Sequence, residues 1–133
     1  MRYRAGIVVY CKTNNSILLI HRKKGEEDYW VVPGGGLETN ESYEEAAKRE
    51  LMEELGLLIQ EMSELCTISV IDRIEKYYIS YSNNCNIVKM HGEELKRSSN
   101  DNIYEPTWLD ISNLPLIYLL PNELRNKLIE IFL

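Results

Sequence analysis

The residues best suited to chemistry are three glutamates spaced for one face of a helix. Glu50, Glu53 and Glu54 are separated by i+3 and i+4 steps, so on an α-helix they occupy an arc of about 100°. Three like charges on one stripe repel one another in water, and a hard divalent cation removes that penalty because carboxylate oxygens are its preferred ligands. The spacing therefore favours a metal site. Taken alone, the three glutamates also fit a solvated acidic face.

An arginine and two leucines fit the same helix. Arg49 precedes Glu53 by four residues, where a guanidinium can hold one carboxylate in a fixed orientation. Leu51 and Leu55 lie about 100° to 140° round the helix from Glu50 and can anchor it to a sheet. We therefore expect a helix that packs on one face and presents charge on another.

A glycine run and a long spaced frame accompany the helix. The glycines Gly34 to Gly36 allow close approach of backbone groups to a ligand or metal. The stretch Gly35 to Leu57 fits the frame G-x5-E-x7-R-E-U-x-E-E-x-G-U, in which U is a bulky aliphatic residue and Glu41 is the first glutamate. With this many positions constrained at fixed spacing, a simple solvated face becomes the weaker interpretation.

This frame resembles the Nudix box, the signature of Mg2+-dependent pyrophosphohydrolases that act on nucleoside diphosphates linked to another group. The resemblance implies an α/β fold, a Nudix-type α/β/α sandwich with a mixed β-sheet, and a Mg2+ cofactor with Mn2+ as the alternative ion. It implies backbone metal ligation by Gly34 or Gly35 and a supporting role for Glu41. The side chains that it assigns to catalysis and metal binding are Arg49, Glu50, Glu53 and Glu54, with Glu53 and Glu54 as main ligands and Glu50 as ligand or base.

The identity of the general base stays open, because in similar proteins it is sometimes a glutamate from a later loop. Glu93, Glu94 and Glu105 are the candidates in this chain. Each also fits an ordinary surface acid. Glu105 lies three residues before Trp108, a spacing that resembles the family's, so Glu105 is the favoured catalytic candidate among the three.

Arg22, Tyr29 and Trp30 are the expected substrate-binding residues. Arg22 ends a strand and could reach substrate phosphates, although an ordinary solvated strand end fits equally well. Tyr29 and Trp30 could stack on a base, with packing under the glycine loop as the alternative for Trp30. The later tyrosines, Tyr77 to Tyr81, are interpreted first as strand packing and second as part of a nucleotide pocket.

Strands and two helices must position these residues. Ser42 and Glu45 form a capping-box pair, and Gly56 suits the position just past the helix end. After Pro121, apolar residues at i, i+4, i+7 and i+8 predict a C-terminal helix. Strands are predicted at Arg2–Cys11, Ser16–Arg22, Tyr29–Val32, within Cys66–Met90 and at Thr107–Leu109. This order suits one sheet covered by helices on two faces.

Composition limits the class of protein. A chain of 133 residues predicts one domain, 1–133. Fifteen basic against 21 acidic residues give a net charge of −6, which disfavours non-specific nucleic-acid binding. No apolar run approaches the roughly 20 residues of a membrane span. Three widely spaced cysteines, Cys11, Cys66 and Cys85, lack metal-site spacing and predict reduced thiols in a cytoplasmic protein.

These observations predict a pyrophosphohydrolase that converts a nucleoside diphosphate linked to X into a nucleoside monophosphate and X-phosphate. A (d)NTP or modified nucleotide is the first choice of substrate and a nucleotide sugar the second. The alternatives are a non-catalytic nucleotide sensor and an RNA 5′-end pyrophosphohydrolase. The apolar run Leu114 to Leu120 could serve a homodimer interface.

Overall fold

The computed structural model describes residues 1–83, 85–86, 99 and 101–133 of the chain. In chain order its elements are β1 (Arg2–Cys11), β2 (Ser16–Lys24), β3 (Glu27–Val31), β4 (Gly34–Gly36), α1 (Tyr43–Leu55), β5 (Ser63–Val70), β6 (Arg73–Ser82), β7 (Asn102–Asp110), a 3-10 helix (Ile111–Leu116) and α2 (Asn122–Phe132). In the described part of the chain, neither α-helix is long and apolar enough to span a bilayer.

The strands form one mixed sheet, as predicted. Its main path in the described part of the chain runs β3-β2-β1-β6-β5, with β4 paired to β1 and β7 paired to β2. The β1–β6 pair is parallel, whereas the other strand pairs are antiparallel. Parallel neighbours require a long crossover between them, and here that crossover contains α1.

Two apolar layers hold the helices on opposite faces of the sheet, which confirms the predicted sandwich. Leu51 and Leu55 of α1 pack with Leu18 and Ile20 on one face. On the other face, Leu124 and Leu128 of α2 belong to a separate cluster. That cluster also contains Val8, Ile17, Leu19 and Tyr77. Alternate residues of a strand point to opposite faces, so β2 supplies residues to both layers.

The caps of α1 are the ones that the sequence predicts. The Ser42 side chain accepts a hydrogen bond from the Glu45 amide, and the Glu45 carboxylate accepts one from the Ser42 amide. Gly56 ends the helix at φ 66°, in the left-handed region that favours glycine. These caps fix the residues at which α1 begins and ends. They thereby fix the positions of the glutamates in the second half of the helix.

Several strand boundaries differ from the predicted ones. β2 continues to Lys24 and β3 begins at Glu27, because the two strands form a tight hairpin through residues first interpreted as loop. The glycine run forms the short strand β4 against β1. β7 is longer than the predicted Thr107–Leu109 because it pairs with β2 along its whole length. The predicted strand residues Ile87 and Val88 lie outside the described residues.

The expectation of three reduced thiols is wrong for two of the cysteines. Cys11 and Cys85 form a disulfide with their Cα atoms 5.9 Å apart, and Cys66 is a free thiol. The register places Cys11 beside Ser82, so the end of β1 and the segment after β6 are neighbours. Because the two cysteines are 74 residues apart in the sequence, their spacing does not predict that they are neighbours in the fold.

Candidate active site

The three glutamates of α1 occupy different depths. Glu54 is 4% exposed, and its Oε1 accepts a hydrogen bond from the Gly34 amide at 3.0 Å. The Glu50 side chain is 16% exposed and that of Glu53 is 55% exposed. The stripe therefore runs from a buried carboxylate beside the glycine strand to a carboxylate in solvent.

Arg49 holds most of this acidic group together. Its guanidinium pairs with Glu41 through two hydrogen bonds of 2.7 and 2.9 Å, and with Glu50 and Glu53 at 3.0 and 3.1 Å. It also donates to the Gly36 carbonyl at 2.9 Å and lies 3.5 Å from Glu38. Several carboxylates around one guanidinium leave a surplus of negative charge.

Glu41 is the strongest partner of that arginine. The hydrogen bonds from Arg49 hold the pKa of the Glu41 carboxyl below its ordinary value, and a backbone hydrogen bond from Glu38 lowers it further. The Glu38 amide donates to Glu41 at 2.9 Å. Glu41 thus ties the loop before α1 to the arginine, which agrees with a supporting role.

Gly35 leaves room for a carboxylate against the backbone. A Cβ atom at Gly35 would overlap the Glu50 carboxylate, whereas one at Gly36 would meet only the Tyr3 carbonyl at 3.7 Å. The Glu50 carboxylate therefore lies directly on the Gly35 backbone. A side chain at this position would displace it.

The donor set fits a hard divalent cation. It consists of carboxylate oxygens, the ligands that Mg2+ prefers, and the absence of a side chain at Gly35 lets the Glu50 carboxylate lie against the backbone. Among the residues that the structure describes, no three acidic, histidine or cysteine side chains already form a metal cage. Mg2+ commonly keeps several waters and takes only one or two carboxylates together with substrate phosphates. Glu53 and Glu54 would hold such an ion.

Arg22 lies beside this site. Together with Glu54 and Gly34 it lines a cavity of about 150 Å³. Its guanidinium stacks on Tyr104, 3.6 Å from the ring centroid, and lies 5.6 Å from that of Tyr29. Arg22 also donates to Asn102 Oδ1 at 3.1 Å, and within the described part of the chain its buried Nε has no hydrogen-bond partner. A buried donor of this kind suits an anionic ligand.

A second cavity adjoins the first. It measures about 430 Å³ and shares Arg4, Val31 and Val32 with the smaller one. Its remaining walls come from β6 and the start of α2. They are Arg73, Glu75, Tyr77, Leu120, Pro121 and Asn122. The shared residues place the two cavities side by side, and the pair, from Glu54 to the start of α2, is called the cleft below.

Two of the expected site residues lie away from this cleft. Glu105 is exposed and pairs in register with His21. Its strand neighbour Tyr104 points into the small cavity, so Glu105 points to the opposite face. Trp30 stacks on His21 with ring centroids 4.1 Å apart and packs in the α2 layer. The other base candidates, Glu93 and Glu94, lie outside the described residues.

Sequence reasoning overlooked several residues of the cleft. Tyr104 and Asn102 lie in the part of β7 that was not predicted as strand. Arg4 was interpreted only as part of a strand. Arg73 and Glu75 alternate with Tyr77 on one face of β6, and this period-two pattern was the available signal. Asn122, the first residue of α2, had no distinguishing pattern.

Comparisons with known proteins agree with the geometry. A family model described as NUDIX domain matches residues 1–126. The ADP-ribose pyrophosphatase of Methanocaldococcus jannaschii is 36% identical over 103 residues, covering 77% of this chain and 59% of that protein. The 8-oxo-dGTP diphosphatase of Proteus vulgaris is 36% identical over 67 residues, covering 49% of this chain and 58% of that protein. The chain thus spans less than two thirds of each of these relatives.

A solved structure shows the same fold. MutT, described from Aliivibrio salmonicida and Vibrio cholerae, matches with a TM-score of 0.75 at 20% identity and covers 97% of both chains. At that identity the likeness is evidence for the fold alone. The family model covers nearly the whole chain, and its signature residues surround the carboxylate stripe of α1. The chain belongs to the NUDIX domain family.

Proposed function

We propose that this protein is a Mg2+-dependent pyrophosphohydrolase that cleaves a nucleoside diphosphate linked to X and releases a nucleoside monophosphate. A (d)NTP or a modified nucleotide is the favoured substrate. The observation that carries the proposal is the pair of adjoining cavities, of which the smaller is lined by the buried carboxylate of Glu54 and the larger has room for a nucleobase. A phosphate chain at one end and a base at the other would fill the cleft.

The residues at the carboxylate end have different proposed roles. Glu53 and Glu54 would hold the cation, and Arg49 keeps the carboxylates of Glu50 and Glu53 oriented. When bound, Mg2+ neutralises the diphosphate and lowers the pKa of a coordinated water. Glu50 is the proposed base for that water's proton, since Glu105 points to the other face of the sheet. Arg22, which lines the smaller cavity beside Glu54, would donate to a phosphate oxygen.

The relatives support a nucleotide substrate without selecting one. Their names include an ADP-ribose pyrophosphatase and an 8-oxo-dGTP diphosphatase, and both names describe cleavage of a nucleotide's phosphoanhydride. The local cation beside Glu54, Arg22, can meet the phosphate charge of a small molecule in spite of the net charge of −6.

Two alternatives remain open to test. A nucleotide sensor would use the same cleft without turnover. An RNA 5′-end pyrophosphohydrolase would use the same carboxylates on a longer ligand. The homodimer interface also stays a prediction: in the run Leu114 to Leu120, Leu116 and Tyr118 are exposed, and Leu114 and Leu119 belong to the core.

One panel separates these functions. Purified protein is incubated with Mg2+ and either (d)NTPs, ADP-ribose, dinucleoside polyphosphates, nucleotide sugars or 5′-triphosphorylated RNA, and released nucleoside monophosphate is measured by chromatography. We expect release from at least one small nucleotide and none after chelation of the cation. Tight binding in calorimetry with no turnover across the panel would favour the sensor. Cleavage restricted to RNA would favour the third function.

A further inference from the structure

A buried carboxylate lies at the floor of the larger cavity. Glu75 is 5% exposed, and its neighbour Tyr77 is 2% exposed. The Tyr77 hydroxyl donates to Glu75 Oε1, and Arg73 Nε pairs with Glu75 Oε2. Burial and the nearby Glu75 carboxylate raise the pKa of the Tyr77 hydroxyl, so this hydroxyl stays a donor. Both oxygens of Glu75 are therefore engaged by the protein itself.

A second arginine joins this group from the neighbouring strand. Arg4 lies beside Glu75 in the β1–β6 register, and its charge lowers the pKa of the Tyr77 hydroxyl, which offsets part of the rise. Arg73 pairs with Glu75, Tyr77 donates to Glu75, and Arg4 lies next to both on the neighbouring strand. One carboxylate is thus the counter-charge beside two guanidinium groups. All four side chains line the same cavity.

This arrangement leaves the cavity with surplus donors. Each guanidinium carries five N–H donors and no acceptor, and one carboxylate with one hydroxyl engages only a few of them. The walls beside these donors are apolar and come from Val31, Val32, Leu120 and Pro121. A flat ring between such walls would place its edge against guanidinium donors. Carbonyl oxygens on that edge would accept from them, as guanine O6 accepts from arginine in DNA recognition.

We propose that Glu75 is a positioning residue that holds Arg4 and Arg73 so that the larger cavity selects nucleobases bearing ring carbonyl oxygens over adenine. This inference rests on the proposed function, because it assigns the base half of the same substrate. A 6-oxo purine presents two neighbouring acceptors, O6 and N7, whereas adenine presents the N6 amino donor beside N7. Adenine therefore cannot accept from both arginines at that edge. Asn122, with both a donor and an acceptor, is compatible with either class.

The test compares two nucleotides that differ only at position 6 of the base and in the hydrogen on the neighbouring N1. ITP has a 6-oxo group where ATP has a 6-amino group. We expect the wild-type protein to favour ITP by about tenfold in kcat/KM. Glu75→Gln should reduce that preference to near one by raising KM for ITP, with kcat changed by less than about threefold, because the phosphate end of the cleft is untouched.

The matched control is Glu64→Gln. Glu64 on β5 pairs with Lys76 on β6 at 3.2 Å, outside the cavity. Its loss should leave the ITP-to-ATP ratio unchanged. An equal effect of Glu75→Gln on both nucleotides, or an equal shift in the Glu64→Gln protein, would overturn the proposal. So would a wild-type protein that does not prefer ITP.

A second variant covers the case in which Glu75→Gln does not fold. The Arg73 side chain is 37% exposed, and Arg73→Gln removes one of the two donors at the cavity rim. Circular dichroism and thermal unfolding establish that each variant is folded. The Arg73→Gln protein should lose the preference for ITP in KM, and an unchanged ratio in this folded variant would overturn the proposal.

A binding measurement separates this inference from the proposed function. Calorimetric titration with IMP and AMP, the products, needs no turnover. Preferred binding of IMP that Arg73→Gln abolishes would support the inference even if no nucleotide were hydrolysed. Hydrolysis without any difference between IMP and AMP would leave the proposed function intact and overturn the inference.

Discussion

The two ends of the cleft have opposite charge imbalances. At each end, a single charged side chain lies among several of the opposite charge. At the α1 end, one arginine, Arg49, lies among four carboxylates within 3.5 Å, those of Glu38, Glu41, Glu50 and Glu53. At the other end, one carboxylate, Glu75, pairs with Arg73 and lies beside Arg4 of the neighbouring strand. The first centre has too much negative charge for its single cation, and the second has too many donors for its single anion.

This difference in charge indicates which kind of ligand each end binds. Like charges held together at low exposure cost free energy unless an opposite charge or a hydrogen-bond partner joins them. A divalent cation supplies this at the acidic centre, and acceptor oxygens supply it at the basic centre. A nucleotide with its bound metal ion offers both, at opposite ends of one molecule.

The largest expected effect comes from the acidic centre. Glu54→Gln should lower nucleotide hydrolysis by about 10³-fold, because an uncharged amide binds a hard cation poorly and the metal's contribution to transition-state stabilisation is several kcal/mol. The fold should persist, since an amide oxygen can still accept from Gly34. Nucleoside monophosphate release and thermal unfolding measure the two properties. Glu44→Gln, on an exposed part of the same helix, is the control. Full activity in the Glu54 variant would contradict a metal role.

The contact of Glu50 with the Gly35 backbone gives the next effect. Gly35→Ala should reduce activity by up to about 10²-fold, because a Cβ there displaces the Glu50 carboxylate and small misplacements at a reacting centre are costly. Gly36→Ala, whose Cβ meets only an ordinary contact at 3.7 Å, should retain nearly full activity. Steady-state kinetics on the same nucleotide measures both variants. Equal losses in the two variants would remove the argument that Glu50 must lie on the Gly35 backbone.

A smaller effect on stability tests how Arg49 is held. Glu41→Gln should lower the free energy of unfolding by about 2 kcal/mol at pH 7, since it removes a charge-assisted pair. Because the pKa of Glu41 is lowered in the folded protein, its contribution is complete above the ordinary value of 4.5. That contribution is lost as pH falls through the lowered folded value.

Urea unfolding of wild type and the Glu41→Gln variant at pH 7 and pH 3 measures this contribution. The gap between the two proteins should narrow at pH 3. Glu61→Gln, at an exposed glutamate after α1, should show no such gap. A gap that widened with acid would contradict the assigned cause of the lowered pKa.

The smallest expected effect concerns the helix cap. Ser42→Ala should cost about 1 kcal/mol of stability, because the first-turn amide of Glu45 loses its acceptor. Denaturant unfolding measures the change, and Ser69→Ala on β5 is an exposed control. The ITP-to-ATP preference should not change, because this cap lies at the acidic end only. A changed preference would show that the two ends are coupled.

The two ends also differ in how far the sequence predicted them. The acidic end could be predicted because Gly35, the caps of α1 and its glutamates lie close together in sequence. The helical period alone then places Glu50, Glu53 and Glu54 on one stripe. Local propensity and spacing suffice for a site built on a single helix.

The basic end could not be predicted in this way. Arg4, Glu75 and Asn122 come from β1, β6 and α2, and only the sheet register and the packing of α2 bring them together. Period-two alternation marks Arg73, Glu75 and Tyr77 as one face of a strand, but no sequence pattern identifies the strand beside them. Glu105 illustrates the same limit, since one residue of register decides which face its side chain occupies.

The parallel pairing of β1 with β6 also has a consequence for how the chain folds. The ladder joins Arg2–Cys11 to Arg73–Ser82, so the first strand cannot complete its pairing during synthesis until residues past 80 have left the ribosome. Such non-local pairing slows folding relative to local contacts. The helix that carries the glutamates lies inside the intervening loop and can cap itself early. The larger cavity, which needs residues of both β1 and β6, can form only after that pairing.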